Sequence, residues 1–192
     1  GDVTVDSRAV RNFDPRSAMD AGVAFVPAER AVRGSIGGMT LRENLTICDV
    51  SPHFVKGRLR RRLEKSESHT WIQKLSIKTS GTEAPIGSLS GGNQQKVALA
   101  RLLEHPARIF LLDEPTRGID IGSKAQIYQL VGELAAQGKA VVVVSSYLPE
   151  LLGLCDTIGV MCRGDLVAVR PRGEWTEASI IAAATGGSSD NS

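Results

Sequence analysis

The chain has 192 residues, 42% of them hydrophobic and 23% charged, with a formal net charge of +2. That length suffices for one sizeable core and an inserted subdomain, and the near-neutral balance points to no acidic partner. No run of about 18 apolar residues occurs, so no stretch reads as a membrane-spanning helix, and the opening GDVTVDSRAV lacks a signal-peptide layout. Three scattered cysteines (Cys48, Cys155, Cys162) form no C-x-x-C and fit small hydrophobes in a reducing compartment. His53, His69 and His105 show no metal-ligand spacing.

Val3–Asp6 (VTVD) alternates and predicts a short edge strand. In DPRSAMDAG, Asp14 stands as N-cap, Pro15 at the first helical position and Gly22 as stop, which predicts a short helix. Val23–Val26 (VAFV), ended by Pro27, predicts a buried strand. The glycine-rich RGSIGGMT follows and reads as a flexible loop. From Leu41 to His105 the pattern turns helical. GRLRRRLEKSESHTWIQKLSI places Leu59, Leu63, Trp71, Ile72 and Leu75 among many charges, as in a partly exposed helix or helix pair. GGNQQKVALARLLEHP aligns Val97, Ala100 and Leu103 on one face before Pro106.

The period then changes. Ile109–Leu112 (IFLL) and Ala140–Ser145 (AVVVVS) are continuous apolar runs, the pattern of parallel strands buried on both faces. Between them Ile127, Leu130, Val131 and Leu134 keep helical spacing and Gly138 stops the helix, so a right-handed β-α-β unit is predicted. TIGVMC and LVAVR, joined through RGD, read as a hairpin, and Thr176–Ala184 as a last helix. TGGSSDNS is a polar tail expected to be disordered.

Two places carry chemistry. Asp113 and Glu114 follow directly on IFLL, where the carboxyl end of a strand in an open α/β sheet meets its ligand. Two adjacent carboxylates are tolerated if one holds Mg²⁺ beside a polyphosphate and the other orients or deprotonates a water; the alternative is that Asp113 caps the turn and Glu114 is solvated. In LSGGNQQK, Ser90, Gly91 and Gly92 open a helix whose N–H groups and positive end suit a phosphate. A plain Ser/Gly helix cap explains the same residues.

Taken together and in order, LSGGNQQKVALARLLEHPARIFLLDEPTRGID resembles the signature, Walker B and D-loop block of the ABC ATPases. AFVPAER…GGMTLREN resembles that family's Q-loop region, and SSYLPELLGLCDTIGVMCRGDLVA its switch region and closing strands. NQQK, DEPTRGID, VPAER and SSYLPE are similar to the second cassette of two-cassette importers of ribose, xylose and galactose type. The resemblance implies a P-loop NTPase-type, three-layer α/β/α core with an inserted helical subdomain. It divides the chain into a partial β and Q-loop region (1–40), a helical subdomain ending in the signature helix (41–105), the Walker B, D-loop and switch part (106–185) and a tail (186–192). It implies ATP and Mg²⁺ as cofactors. Asp113 matches the Mg²⁺-linked aspartate, Glu114 the general base, Ser90, Gly91, Gly92 and Asn93 the signature facing the opposite cassette's ATP, and Asp120 the aspartate that communicates across the dimer. The implied partners are another cassette (in the same polypeptide or a second copy), transmembrane permease subunits docking near ERAVRGSIGGMTLREN, and indirectly a sugar-binding protein. The implied location is the cytoplasmic face of the cell membrane.

The departures are informative. These residues contain no G-x-x-x-x-G-K-[ST], which is expected if the chain begins after that loop in a longer protein. Ser146 stands where active cassettes place a histidine, and serine cannot supply imidazole's proton chemistry. Ala28 stands at the Q-loop glutamine position, with Glu29 beside it as a substitute. The expectation is a half that completes its partner's site while its own is weak, with the isolated chain inactive. The alternatives are a non-catalytic interaction half, or a soluble ABC ATPase of nucleic-acid metabolism using the basic Lys56–Lys65. That segment lacks interleaved aromatics and reads as a solvated helix face, so no nucleic-acid partner is expected.

Overall fold

The computed structural model describes residues 3–6, 8–9, 14–28, 34–104 and 106–186. They form two compact units, 1–144 and 145–192, considered separately below.

The first unit opens with a two-residue ladder, β1 (Thr4–Val5) antiparallel to β2 (Arg8–Ala9). Helix α1 (Pro15–Asp20) forms as its end signals dictate: the Asp14 carboxylate accepts from Ser17 N–H at 2.9 Å, and Gly22 turns the chain at φ +80°. The main sheet has the order β3-β6-β7, all parallel, from β3 (Val23–Val26), β6 (Ile109–Asp113) and β7 (Ala140–Val144). Helix α5 (Ile121–Ala136) crosses between β6 and β7, with Ile127, Leu130, Val131 and Leu134 all buried as their spacing predicts.

One expectation fails in the sheet. Phe110 and Leu112 are buried, but Phe25, Val142 and Val144 are 54%, 50% and 58% exposed. Strand period two and the register Phe25↔Leu111↔Val142 put these side chains on a common face, so the opposite face, with Phe110 and Leu112 buried and Val141 and Val143 half-buried, is the better covered one among the described residues. A continuous apolar run does not distinguish the two faces, which is why two-sided burial was predicted.

The helical stretch is held by a polar network more than by periodicity. Helix α2 (Leu41–Thr46) starts in a capping box, Thr40 with Glu43. Its Arg42, 3% exposed, pairs with the buried Glu64 at 3.0 Å and with Glu83 at 2.9 Å, and Thr46 Oγ1 donates to Glu64 at 3.0 Å. Glu64 lies on α3 (Arg61–Lys74), so one guanidinium joins α2, α3 and the following loop. The loop expected to be flexible is anchored: Ile36 N–H donates to Asn44 Oδ1 at 2.8 Å, and Asn44 Nδ2 donates back to Ile36 O at 3.2 Å. Before α3 the expected helix gives way to a hairpin, β4 (Phe54–Val55) with β5 (Arg58–Leu59). Lys56 and Gly57 both have positive φ (52° and 74°), the two-residue turn that matches strand twist. Leu59 and Leu63 are therefore exposed and do not share a buried helical face. Helix α4 (Gly91–Glu104) buries Val97 and Ala100, with Leu103 half-buried.

The second unit packs α6 (Leu148–Leu154), the hairpin β8 (Thr157–Cys162) and β9 (Asp165–Pro171), and α7 (Glu177–Thr185). Its core is Ile158, Val160, Trp175 and Ile180. The Trp175 indole N–H donates to Ile158 O at 3.3 Å, and Arg170 lies over the ring at 4.8 Å. Arg163 and Gly164, at φ 52° and 95°, make the tight turn expected at RGD. Of the polar tail, Thr185 ends α7 and Gly186 follows it, and residues 187–192 lie outside the described residues.

Candidate functional site

The carboxylates come first. Asp113 is the last residue of β6, the middle strand of the sheet, paired with Val144 and half-buried. Glu114 follows at φ +46°, a left-handed conformation that costs a non-glycine residue energy and is commonest at functional sites. Its N–H donates to Val144 O at 2.8 Å and its carbonyl accepts from Arg117 N–H at 3.1 Å, so the ladder ends in a tight turn aimed past the sheet. Ala28 stands two residues beyond β3, whose last residue is level with Leu112, and is half-buried at the same sheet end. Glu29, Arg30, Val32 and Arg33 lie outside the described residues, as does His105.

The LSGGN segment is assembled against the start of α5. Ser90 precedes α4, and its carbonyl accepts from Gln94 N–H at 2.9 Å. Asn93 is buried; its Nδ2 donates to Ser90 Oγ at 2.8 Å and its Oδ1 accepts from Lys78 N–H at 2.9 Å. The Asn93 side chain thus fixes the serine hydroxyl and the segment after α3, leaving Ser90 as the outward group. Gly92 has a specific reason to be glycine. A Cβ there would meet Ser123 Oγ at 3.0 Å, Ser123 Cβ at 3.2 Å and Asp120 Oδ2 at 3.4 Å. The glycine permits a close approach of helix α4 to the start of helix α5.

Asp120 caps α5, its carboxylate accepting from Ser123 N–H at 3.0 Å, and hydrogen bonds from the Ser123 backbone and hydroxyl hold it below the usual carboxylate range. Under the first turn of α4, Lys96 is buried and donates to Ser76 O at 3.3 Å. Burial pushes its ammonium below the usual lysine range, against a smaller opposing pull from Asp120. Sequence inspection missed Lys96 and Ser123; only the i, i+3 capping pair DIGS signalled the latter. The structure therefore brings Ser90, Gly92 and Asn93 together with Asp120, and sets Asp113 and Glu114 at the strand end seven and six residues earlier. Ser146 belongs to the second unit, exposed in the bend before α6, where Tyr147 N–H donates to Ser145 Oγ at 3.1 Å.

Among the described residues no cluster of three or more His, Cys, Asp or Glu could cage a metal. One half-buried carboxylate at a strand end suits an ion such as Mg²⁺, which takes one or two carboxylates and completes its shell with phosphate and water. A helix start with an oriented hydroxyl suits phosphate oxygens. The residues present therefore fit part of a metal–nucleotide site.

The parallel sheet β3-β6-β7 with its crossover helix α5 defines an α/β fold of the P-loop NTPase type. Residues 1–117 match the family model described as ABC transporter, and the chain belongs to that family. Its α/β architecture is that of an ABC cassette. The structure of MJ0796, described as a bacterial ABC transporter cassette, superposes with a TM-score of 0.73 at 22% identity, covering 90% of this chain and 73% of that one. The sequence is 43% identical over 186 residues to the ribose import ATP-binding protein RbsA 2 of Streptomyces avermitilis (97% of this chain, 37% of that protein). It is 43% identical over 186 residues to the arabinose import ATP-binding protein AraG of Rhizobium etli (96% and 37%). It is 41% identical over 187 residues to the xylose import ATP-binding protein XylG of Moorella thermoacetica (97% and 37%). The chain thus spans a little over a third of the length of these relatives.

Proposed function

We propose that this chain is part of the ATP-hydrolysing subunit that energises import of simple sugars through a membrane permease. The observation that carries the reading is about 40% identity to ribose, arabinose and xylose import ATP-binding proteins over nearly all its residues. The sheet end supports the division of roles. Asp113 would hold Mg²⁺ through water and Glu114 would orient and deprotonate the attacking water. Ser90, with Gly91, Gly92 and Asn93 behind it, would meet the γ-phosphate of ATP bound by a partner cassette, and Asp120 would couple the two sites.

Two features favour a half that serves its partner more than itself. Serine stands at position 146 and alanine at 28, with Glu29 a candidate substitute. By contrast the Ser90–Asn93 hydrogen bond is intact. Residues 1–40, 41–105 and 106–185 then act as the β and Q-loop part, the permease-docking helical part and the catalytic part, on the cytoplasmic face of the membrane.

The test uses the full-length polypeptide. Ser90→Arg is expected to abolish most turnover and Glu114→Gln to lower it modestly. The reverse pattern would refute the assignment. The 192-residue chain alone, with ATP and Mg²⁺, is expected to release no phosphate above background.

A further inference from the structure

One surface is left unexplained by the ATPase reading: the hairpin β4–β5 and the start of α3. Every residue from 54 to 63 is exposed, although the segment is regular. Such a hairpin contributes little burial, and its composition is not that of an ordinary solvated turn. Phe54 is 49% exposed and Leu63 46%, with Val55 and Leu59 also exposed. Phe54 sits across from Leu59 and Val55 across from Arg58. Around these four apolar side chains stand Lys56, Arg58, Arg60, Arg61 and Arg62. Among the described residues no carboxylate pairs with any of the five. The nearby acids are engaged elsewhere: Glu64 is buried on Arg42, Glu67 is bonded to His53 at 2.6 Å, Asp49 accepts from Ser51 N–H at 2.9 Å, and Glu83 takes Arg42 and Lys65.

We propose that this hairpin docks on an anionic phospholipid surface, Phe54, Leu59 and Leu63 entering the interface and the five cations meeting lipid phosphates. Exposed apolar side chains ringed by Lys and Arg are what interfacial binding requires, since apolar burial and attraction to anionic headgroups add. A nucleic acid would use the cations but not the aliphatic tip. The charge is local: residues 56–65 hold six of the 23 Lys and Arg and one of the 21 Asp and Glu, in a chain of net charge +2. The inference stands on the hairpin alone, so its failure leaves the ATPase assignment intact.

The test is co-sedimentation of the 192-residue chain with neutral phosphatidylcholine vesicles and with vesicles holding about one-third phosphatidylglycerol. Partitioning is expected to be at least about tenfold stronger on the anionic vesicles and to fall as salt is raised, each cation contributing up to roughly fivefold. The variant Arg58→Glu/Arg61→Glu/Arg62→Glu should lose this preference, and Phe54→Ser/Leu63→Ser should weaken binding about tenfold at low salt. Both variants change only exposed positions; circular dichroism verifies their fold, and Arg58→Gln/Arg61→Gln/Arg62→Gln replaces the charge reversal if that variant unfolds. Equal partitioning on both vesicles, no partitioning, or binding indifferent to all of these substitutions overturns the proposal. Binding to duplex DNA without binding to anionic vesicles overturns it in favour of a nucleic-acid surface.

Discussion

The side-chain amide of Asn93 donates to the hydroxyl of Ser90 at 2.8 Å, while its oxygen accepts from the backbone of Lys78 at 2.9 Å. One buried residue thus orients the serine and pins the chain after α3. Asn93→Ala leaves the Lys78 N–H and the Ser90 hydroxyl without these partners, which costs about 1–3 kcal/mol. Urea unfolding measures it; stability within about 0.5 kcal/mol of the parent would show that the network is dispensable.

Gly92→Ala is expected to destabilise. In an open helix the change gains up to about 1 kcal/mol, but here the new methyl falls 3.0 Å from Ser123 Oγ and 3.2 Å from Ser123 Cβ. Overpacking of that kind costs about 1–3 kcal/mol. A double-mutant cycle with Ser123→Gly checks the cause, because the two substitutions should couple by at least about 0.5 kcal/mol. Additive effects would locate the cost elsewhere.

Arg42→Met removes the partner of a carboxylate that is itself 2% exposed, Glu64. A stranded buried charge costs about 3–5 kcal/mol. The companion Arg42→Met/Glu64→Leu should recover most of the loss in a thermal melt, since apolar replacement of a whole buried pair is nearly neutral or better. Failure of the double variant to recover would mean that Glu83 and Thr46 matter more than the central pair.

Glu104, at the end of α4, has a buried oxygen with no hydrogen-bond partner in the structure, and burial chiefly, with Glu67 adding, raises its pKa to about 8. The folded chain therefore holds a proton that the unfolded chain releases near pH 4.5. Between those values the folded state binds more protons, so stability falls as pH rises, by at most about 1.4 kcal/mol per pH unit from this group. Glu104→Gln should flatten the pH–stability curve between pH 5 and 8, and an unchanged slope would contradict the assignment.

The fold could be followed in the sequence wherever a signal was local. Asp14, Pro15 and Gly22 delimit α1, and IFLL, AVVVV and the helical spacing between them mark the parallel strands and crossover. The hairpin at 54–59 was hidden because Lys56-Gly57 sits within a charged run that also satisfies a helical pattern. Which sheet face is covered depends on partners far along the chain, so the exposure of Phe25, Val142 and Val144 could not be read from alternation. At the site, LSGG and LLDE were legible as motifs. The inward turn of Asn93 and the contact of Gly92 with Ser123 were not, because both depend on how α4 meets α5.

Among the described residues, strand β7 lies at the border of its sheet, with Val142 and Val144 half open to solvent. Its AVVVV core is uncharged, proline-free and rich in β-branched side chains. Such a segment on a sheet border is a template for cross-β growth. Concentrated solutions of this chain should therefore lay down thioflavin-positive aggregate seeded by residues 140–144, and a single Val142→Lys gatekeeper should delay it.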